Sequence, residues 1–196
     1  MVDQWLKALD RGAGVAAVFM DFHKAFDRVW HKGLLYKLGA CGISPTATSW
    51  LHSYLSDRTL AVRIGGCSSK QHSISAGVPQ GSHLGPILFL VFINDLPLAS
   101  HTPTELYADD ALQYANLRKL DATSGLQTIQ AGVNATSEWA SLWNGQFSAS
   151  KTVLLPVGTV AQSACTECHL TMDAQTHHHL HHAQASWRHS QYQRSE

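Results

Sequence analysis

Two adjacent carboxylates, Asp109 and Asp110, sit between short apolar runs in the tetrad Tyr107-Ala108-Asp109-Asp110. Neighbouring acids repel, so a segment that keeps them side by side suits a divalent cation that neutralises both. The same pair is also ordinary turn chemistry, since Asp tolerates turn geometry and bonds its own backbone. For the tetrad alone the turn is the better account. A second acidic element far upstream, Asp21-Phe22-His23-Lys24-Ala25-Phe26-Asp27, shifts the balance. It follows the apolar run Val15 to Met20, which has the length of a buried strand, so Asp21 falls where that strand ends. Between the two acidic elements lies the Gly/Pro-punctuated loop Ser75 to Pro86, running into the apolar stretch Ile87 to Ile93. Glycine there lets a backbone approach a flat ligand, and Ser82 is placed to cap a helix. An ordinary helix-entry loop would carry the same residues.

The elements that must position these groups follow from periodicity. Val2, Trp5, Leu6 and Leu9 recur at helical spacing and Gly12 and Gly14 end the pattern, which predicts a short amphipathic helix ahead of the Asp21 strand. A helix carrying Leu34, Leu35 and Leu38 is expected to stop near Gly39 and Gly42. Ser44-Pro45, a cap followed by a first-turn proline, opens another with Trp50, Leu51, Tyr54 and Leu55, all expected in the core. Leu60 to Ile64, with Gly65-Gly66 after it, reads as a strand and turn, with Gln71 to Ser75 as its partner. Leu84 to Leu96 is a strongly apolar helix ending at Pro97, and Leu106-Tyr107 with Ala111 to Ala115 makes a hairpin whose tip presents both acids. Asp121 to Trp143 is a long helix with Leu126, Ile129, Val133 and Trp139 inward, and Val153 to Val157 a last strand.

Composition narrows the classes. A chain of 196 residues that is 44% hydrophobic can build a core and is not a disordered protein. Its 14 basic and 14 acidic residues cancel, so no overall field pulls it toward a phosphate backbone. Cys41, Cys67, Cys165 and Cys168 form no regular framework and no secretory leader is visible, which points to a reducing, intracellular setting, nucleus and cytoplasm not being distinguished. The longest apolar run is far short of the ~20 residues a membrane span needs. From Ala161 to Glu196 the chain is poor in aliphatic residues and holds seven of the thirteen histidines, so it is expected to be a disordered tail. Within it, Cys165-Thr166-Glu167-Cys168-His169 spells a c-type haem attachment or half a zinc site. Haem is set aside because that attachment needs an export route, and adventitious zinc or nickel binding by the histidine run is the remaining metal option.

Taken in order and spacing, four stretches resemble the palm motifs of reverse transcriptases, most closely those of non-LTR, LINE-type retrotransposons. They are Asp21 to His31, Gly77-Val78-Pro79-Gln80-Gly81-Ser82 with Leu84-Gly85-Pro86, Phe92 to Pro97, and Tyr107 to Asp110. The resemblance implies an α+β fold: a polymerase palm-like antiparallel sheet with helices packed on one face, fingers and thumb largely missing. It divides the chain into a truncated palm core, residues 1–158, and a histidine-rich tail, residues 159–196.

The implied activity is RNA-directed DNA polymerisation, the attachment of a primer 3′-hydroxyl to the α-phosphate of an incoming nucleotide by two Mg²⁺ ions, with Mn²⁺ as a possible substitute. Asp21, Asp109 and Asp110 are the implied catalytic metal ligands. The same parallel makes Phe26 the ring that collides with a ribose 2′-hydroxyl, and sets Gln80 and Gly81 along the nascent base pair. Lys151 falls near the pyrophosphate as a general acid or charge partner, where a lone loop lysine would otherwise simply be solvated. RNA template, DNA primer and deoxynucleoside triphosphates are the implied partners, with no membrane and no haem. The alternative is a retrotransposon-derived remnant that at most binds metal or nucleic acid. Asp27 is expected as a helix-start acid rather than a ligand, and His23 and His31 have no assigned partner.

Overall fold

The computed structural model describes residues 1–166 and 170–172 and the backbone of 178–179 and 181–182. Helix α1 (Val2–Asp10) leads into strand β1 (Gly14–Asp21), a short 3-10 turn (Ala25–Asp27) and helices α2 (His31–Ala40) and α3 (Pro45–Leu55). The Ser44 hydroxyl accepts from Ala47 N and Pro45 occupies the first turn of α3, as the cap-proline pair dictates. Four short strands follow, β2 (Arg58–Leu60), β3 (Arg63–Ile64), β4 (Cys67–Ser68) and β5 (His72–Ile74). Then come α4 (Leu84–Ile93), α5 (Leu96–Ala99), the hairpin β6 (Thr104–Tyr107) and β7 (Asp110–Leu117), and α6 (Ala122–Leu142). The last described elements are β8 (Val153–Val157), α7 (Thr159–Thr166), β9 (Thr171–Met172), β10 (His178–His179) and β11 (His181–His182).

The central sheet has the order β11-β8-β1-β7-β6. It is antiparallel throughout β8-β1-β7-β6, and β11 joins the β8 edge in parallel. Side chains alternate between its faces. Ala16, Val18 and Met20 of β1 with Ala111 and Ala115 of β7 face the main core, which α4 and α6 complete with Phe89, Phe92, Ile129, Val133 and Trp139. Val15 and Ala17 with Leu112 and Tyr114 face the other way, where α1 covers them through Trp5 and Ala8. The Tyr114 hydroxyl donates to Gln4 Oε1 at 2.5 Å, and burial, then the Glu105 carboxylate, push its pKa up, so it stays a donor. Helix α1 stops short of the far end of β1, where Phe19 is left 40% exposed. The large helices thus take one face, and the second stays open near the strand end that carries Asp21.

Several expectations change in detail. Leu51 and Leu55 enter the core, but Trp50 is 58% exposed and stacks on Tyr54 at 5.8 Å, because the inward face of α3 is already filled by the two leucines. The strand expected over 60–64 is split. Arg58–Leu60 pairs with His72–Ile74, while Arg63–Ile64 turns back on Cys67–Ser68 through Gly65-Gly66. Pro97 does not end the apolar helix; α4 stops at Ile93 and Pro97 sits in the first turn of α5, where its missing N–H costs nothing. Strand Val153–Val157 is followed by further strands.

The tail expected from residue 159 begins too early. Helix α7 buries Ala161 and Cys165 completely, and Leu170 and Met172 also join the main core. Averaged composition hid this, because a few small apolar residues at helical spacing suffice to dock one short helix. The Glu167-Cys168-His169 part of the haem-like motif, His177 and the side chains of His178, His179, His181 and His182 lie outside the described residues, while Cys165 itself is a core residue. Among the described residues no helix is long and apolar enough to cross a membrane.

Candidate active site

Asp21 ends β1, Asp110 begins β7, and the antiparallel register sets them directly opposite each other. Such cross-strand neighbours have Cβ atoms about 4.5–5.5 Å apart, and like charges at that spacing repel. Alternation puts both on the sheet face that α6 does not cover, with Asp21 half-buried and Asp110 exposed. The hairpin closes through Ala108-Asp109 between the paired Tyr107 and Asp110. Ala108 has φ 54, a left-handed conformation that strains a non-glycine residue by about 1–2 kcal/mol. A two-residue hairpin turn itself calls for positive φ at its first central residue, so the turn geometry accounts for this conformation. Asp109 occupies the second tip position, adjacent to the opposed pair.

Lys151 reaches this strand end from the loop after α6. Its Nζ lies 3.1 Å from Asp21 Oδ2. The loop is held there by backbone bonds, His23 N donating to Gln146 O and Ser148 N to Asp21 O, each at 2.8 Å. Phe147 bridges to Phe22 with ring centroids 4.8 Å apart, and Arg28 Nη1 donates to Gln146 Oε1 at 3.0 Å. The half-exposed ion pair is screened by water, so its weight lies in placing the ammonium rather than in stability.

Among the described residues, no three His, Cys, Asp or Glu side chains converge as a ready-made metal cage. Two opposed carboxylates at an open strand end nonetheless fit Mg²⁺, which binds through one or two carboxylates and completes its shell with water and substrate oxygens.

A second wall is built from the loop 75–86. Gly77 N donates to Val29 O and Val78 N to Phe26 O, both at 2.8 Å, and His31 Nε2 lies 2.7 Å from Gly77 O. Phe26, in the 3-10 turn five residues past Asp21, is half-buried with its ring 4.8 Å from that of Phe89. Gln80 is exposed and donates from Nε2 to Asp27 Oδ1 at 2.8 Å; Gly81 has φ 81 and open space around it. Asp27 therefore has a partner that its position after Asp21 did not reveal, and so does His31. Gly77 combines φ 92 with a backbone approach so close that an added Cβ would lie 2.8 Å from Asp27 O. Gly77→Ala is expected to cost at least about 2 kcal/mol in denaturant melts and to loosen the loop, since no rotamer relieves a backbone clash.

An antiparallel sheet backed by helices on one face, with opposed carboxylates at its open end and a glycine-rich loop beside them, is a polymerase palm-like fold. Residues 6–184 match the family described as Reverse transcriptase (RNA-dependent DNA polymerase), and the chain belongs to that family. Its relatives place it with the non-LTR, LINE-type retrotransposons. It is 40% identical over 157 residues to the RNA-directed DNA polymerase from mobile element jockey of Drosophila melanogaster, covering 74% of this chain and 16% of that protein. The probable RNA-directed DNA polymerase from transposon X-element of the same fly is 37% identical, covering 77% of this chain and 17% of that protein. The chain thus spans about a sixth of the length of these relatives. Among solved structures, apo telomerase from Candida tropicalis superposes with a TM-score of 0.57 at 14% identity, over 79% of this chain and 34% of that one. Telomerase from the same organism in complex with a fragment of telomeric RNA gives 0.58 at 13% identity, over 79% and 28%. At that identity the likeness establishes the fold.

Proposed function

We propose that this chain carries the catalytic palm of an RNA-directed DNA polymerase, acting on an RNA template, a DNA primer and deoxynucleoside triphosphates. The observation that carries the reading is the register of Asp21 against Asp110 on the open sheet face. Asp21, Asp109 and Asp110 would hold two Mg²⁺ ions, or Mn²⁺ in their place, which supply the Lewis acidity that activates the primer hydroxyl and steadies the leaving pyrophosphate.

The chain's own residues do the rest. The opposed carboxylates keep negative charge concentrated where the cations must sit. Lys151, already beside Asp21, has a short swing to a triphosphate, where its ammonium neutralises charge or gives a proton to the departing pyrophosphate. Gln80 and Gly81 flank the base pair being formed, Gly81 permitting close backbone approach. Phe26, backed by Phe89, leaves no room for a ribose 2′-hydroxyl and so selects deoxynucleotides.

Primer extension on an RNA template with Mg²⁺ or Mn²⁺ tests the reading. Absence of extension under both metals would sink it in favour of a remnant that only binds. Phe26→Val is expected to raise ribonucleotide incorporation relative to deoxynucleotide by about tenfold or more, the discrimination that a few packed carbons supply. An unchanged ratio would remove Phe26 from the sugar-reading role.

A further inference from the structure

Gln80 is fixed at its backbone end and at its tip. The loop that bears it docks on the 3-10 turn and its flank through Val78 N to Phe26 O, Gly77 N to Val29 O and the His31 imidazole on Gly77 O. At its tip, Nε2 donates to Asp27 Oδ1 at 2.8 Å. An ionised carboxylate can only accept hydrogen bonds, so the amide NH₂ must face Asp27 and the amide oxygen must face away. Among the described residues no protein group donates to that oxygen. It is an exposed acceptor with a set direction, on the loop that docks on the backbone of Phe26 through Val78 N.

We propose that Asp27 is a positioning residue that locks the Gln80 carboxamide with its carbonyl oxygen outward, so that the nucleotide site reads a hydrogen-bond donor on its ligand. The inference rests on the nucleotide-binding reading above and deepens it. An acceptor held in this way favours a hydroxyl or an amine over a phosphate oxygen or a carbonyl. On a nucleotide that donor is either a sugar hydroxyl or an exocyclic base amine. Asp27 itself touches no substrate in this arrangement; it acts through Gln80 alone.

Calorimetric titration of the full chain with deoxyguanosine triphosphate, its 3′-deoxy analogue and deoxyinosine triphosphate, each with Mg²⁺, separates the sources. The wild-type chain is expected to prefer the guanosine nucleotide over one of the two analogues by about fivefold, the weight of one net hydrogen bond. Loss against the 3′-deoxy analogue assigns the sugar hydroxyl, and loss against the inosine nucleotide assigns the base amine. Asp27→Asn, which donates as well as accepts and lets the amide flip, is expected to shrink that preference to within about twofold, leaving affinity for the disfavoured analogue unchanged. A preference that persists in Asp27→Asn and Asp27→Ala, or its absence in the wild type, overturns the proposal.

A second readout needs no nucleotide. The Gln80 side-chain amide signals in ¹H–¹⁵N spectra are expected to lie away from free-amide positions in the wild type and to move to them in Asp27→Ala. Identical signals in both chains overturn the locking role whatever the titrations show. Absence of triphosphate binding in every variant instead removes the donor reading along with the proposed nucleotide site, while the spectra still decide whether Asp27 holds Gln80.

Discussion

Replacing Asp110 with Asn is expected to lower primer extension at least about a thousandfold while raising the stability of the fold by about 0.5 kcal/mol. The two effects have opposite signs because one arrangement causes both. Asp110 stands directly across the strands from Asp21, and without a cation the two carboxylates repel. Neutralising one relieves that repulsion, and the same change removes a ligand whose charge the proposed reaction needs. Asp21→Asn differs in an informative way: it also breaks the contact with the Lys151 ammonium, so its activity loss should come with little net gain in stability. Paired extension assays and denaturant melts on the two variants decide the matter. Extension that survives Asp110→Asn, or a loss of stability in that variant, would mean the pair is turn chemistry and not a metal cradle.

The sequence displayed the parts of the site that depend on local order. The run before Asp21 is continuously apolar and of strand length, and short apolar flanks bracket Asp109-Asp110, so the strand end and the hairpin tip were both legible, as was the Ser44-Pro45 helix start. That β1 and β7 are neighbours is a long-range fact; the motif order supplied it through the family resemblance, and the register then fixed which residues face each other. Illegible were the contacts made by side chains far apart in sequence with no periodic trace. Asp27 and Gln80 are 53 positions apart, and neither the acid nor the amide stands out in its own segment. Helix α7 was missed for a different reason: its buried Ala161 and Cys165 are small, and the histidines after it dominate the composition of the region.

Lys37 and Asp95 are a further pair of this kind, and removing one is expected to act very differently from removing the other. Lys37 of α2 is only 6% exposed. Its Nζ lies 3.7 Å from the centre of the Trp143 ring and 4.5 Å from that of Trp139, and donates to Phe92 O at 2.7 Å and Asp95 Oδ1 at 2.5 Å. Asp95, by contrast, keeps 42% of its side chain in water. Asp95→Ala therefore strands an ammonium in an aromatic pocket, at a cost of about 3 kcal/mol. Lys37→Met leaves a linear side chain in the same slot and strands only a carboxylate that water can solvate, so it should cost less than about 1 kcal/mol. Burial holds the Lys37 pKa below its ordinary 10.5, with Asp95 pulling it partly back. The unfolded chain then binds this proton more tightly than the folded one. Stability gains from this group as pH rises through the lowered value toward 10.5, and nothing is gained below that window. Relative to the wild type, Asp95→Ala should open the window at lower pH, and Lys37→Met should abolish it. Denaturant melts at stepped alkaline pH measure both, and equal losses in the two variants would refute the asymmetry. The pair is linked to the site through α4, which carries Phe92, whose carbonyl accepts from Lys37, and Phe89, whose ring lies behind that of Phe26, the residue proposed to read the sugar.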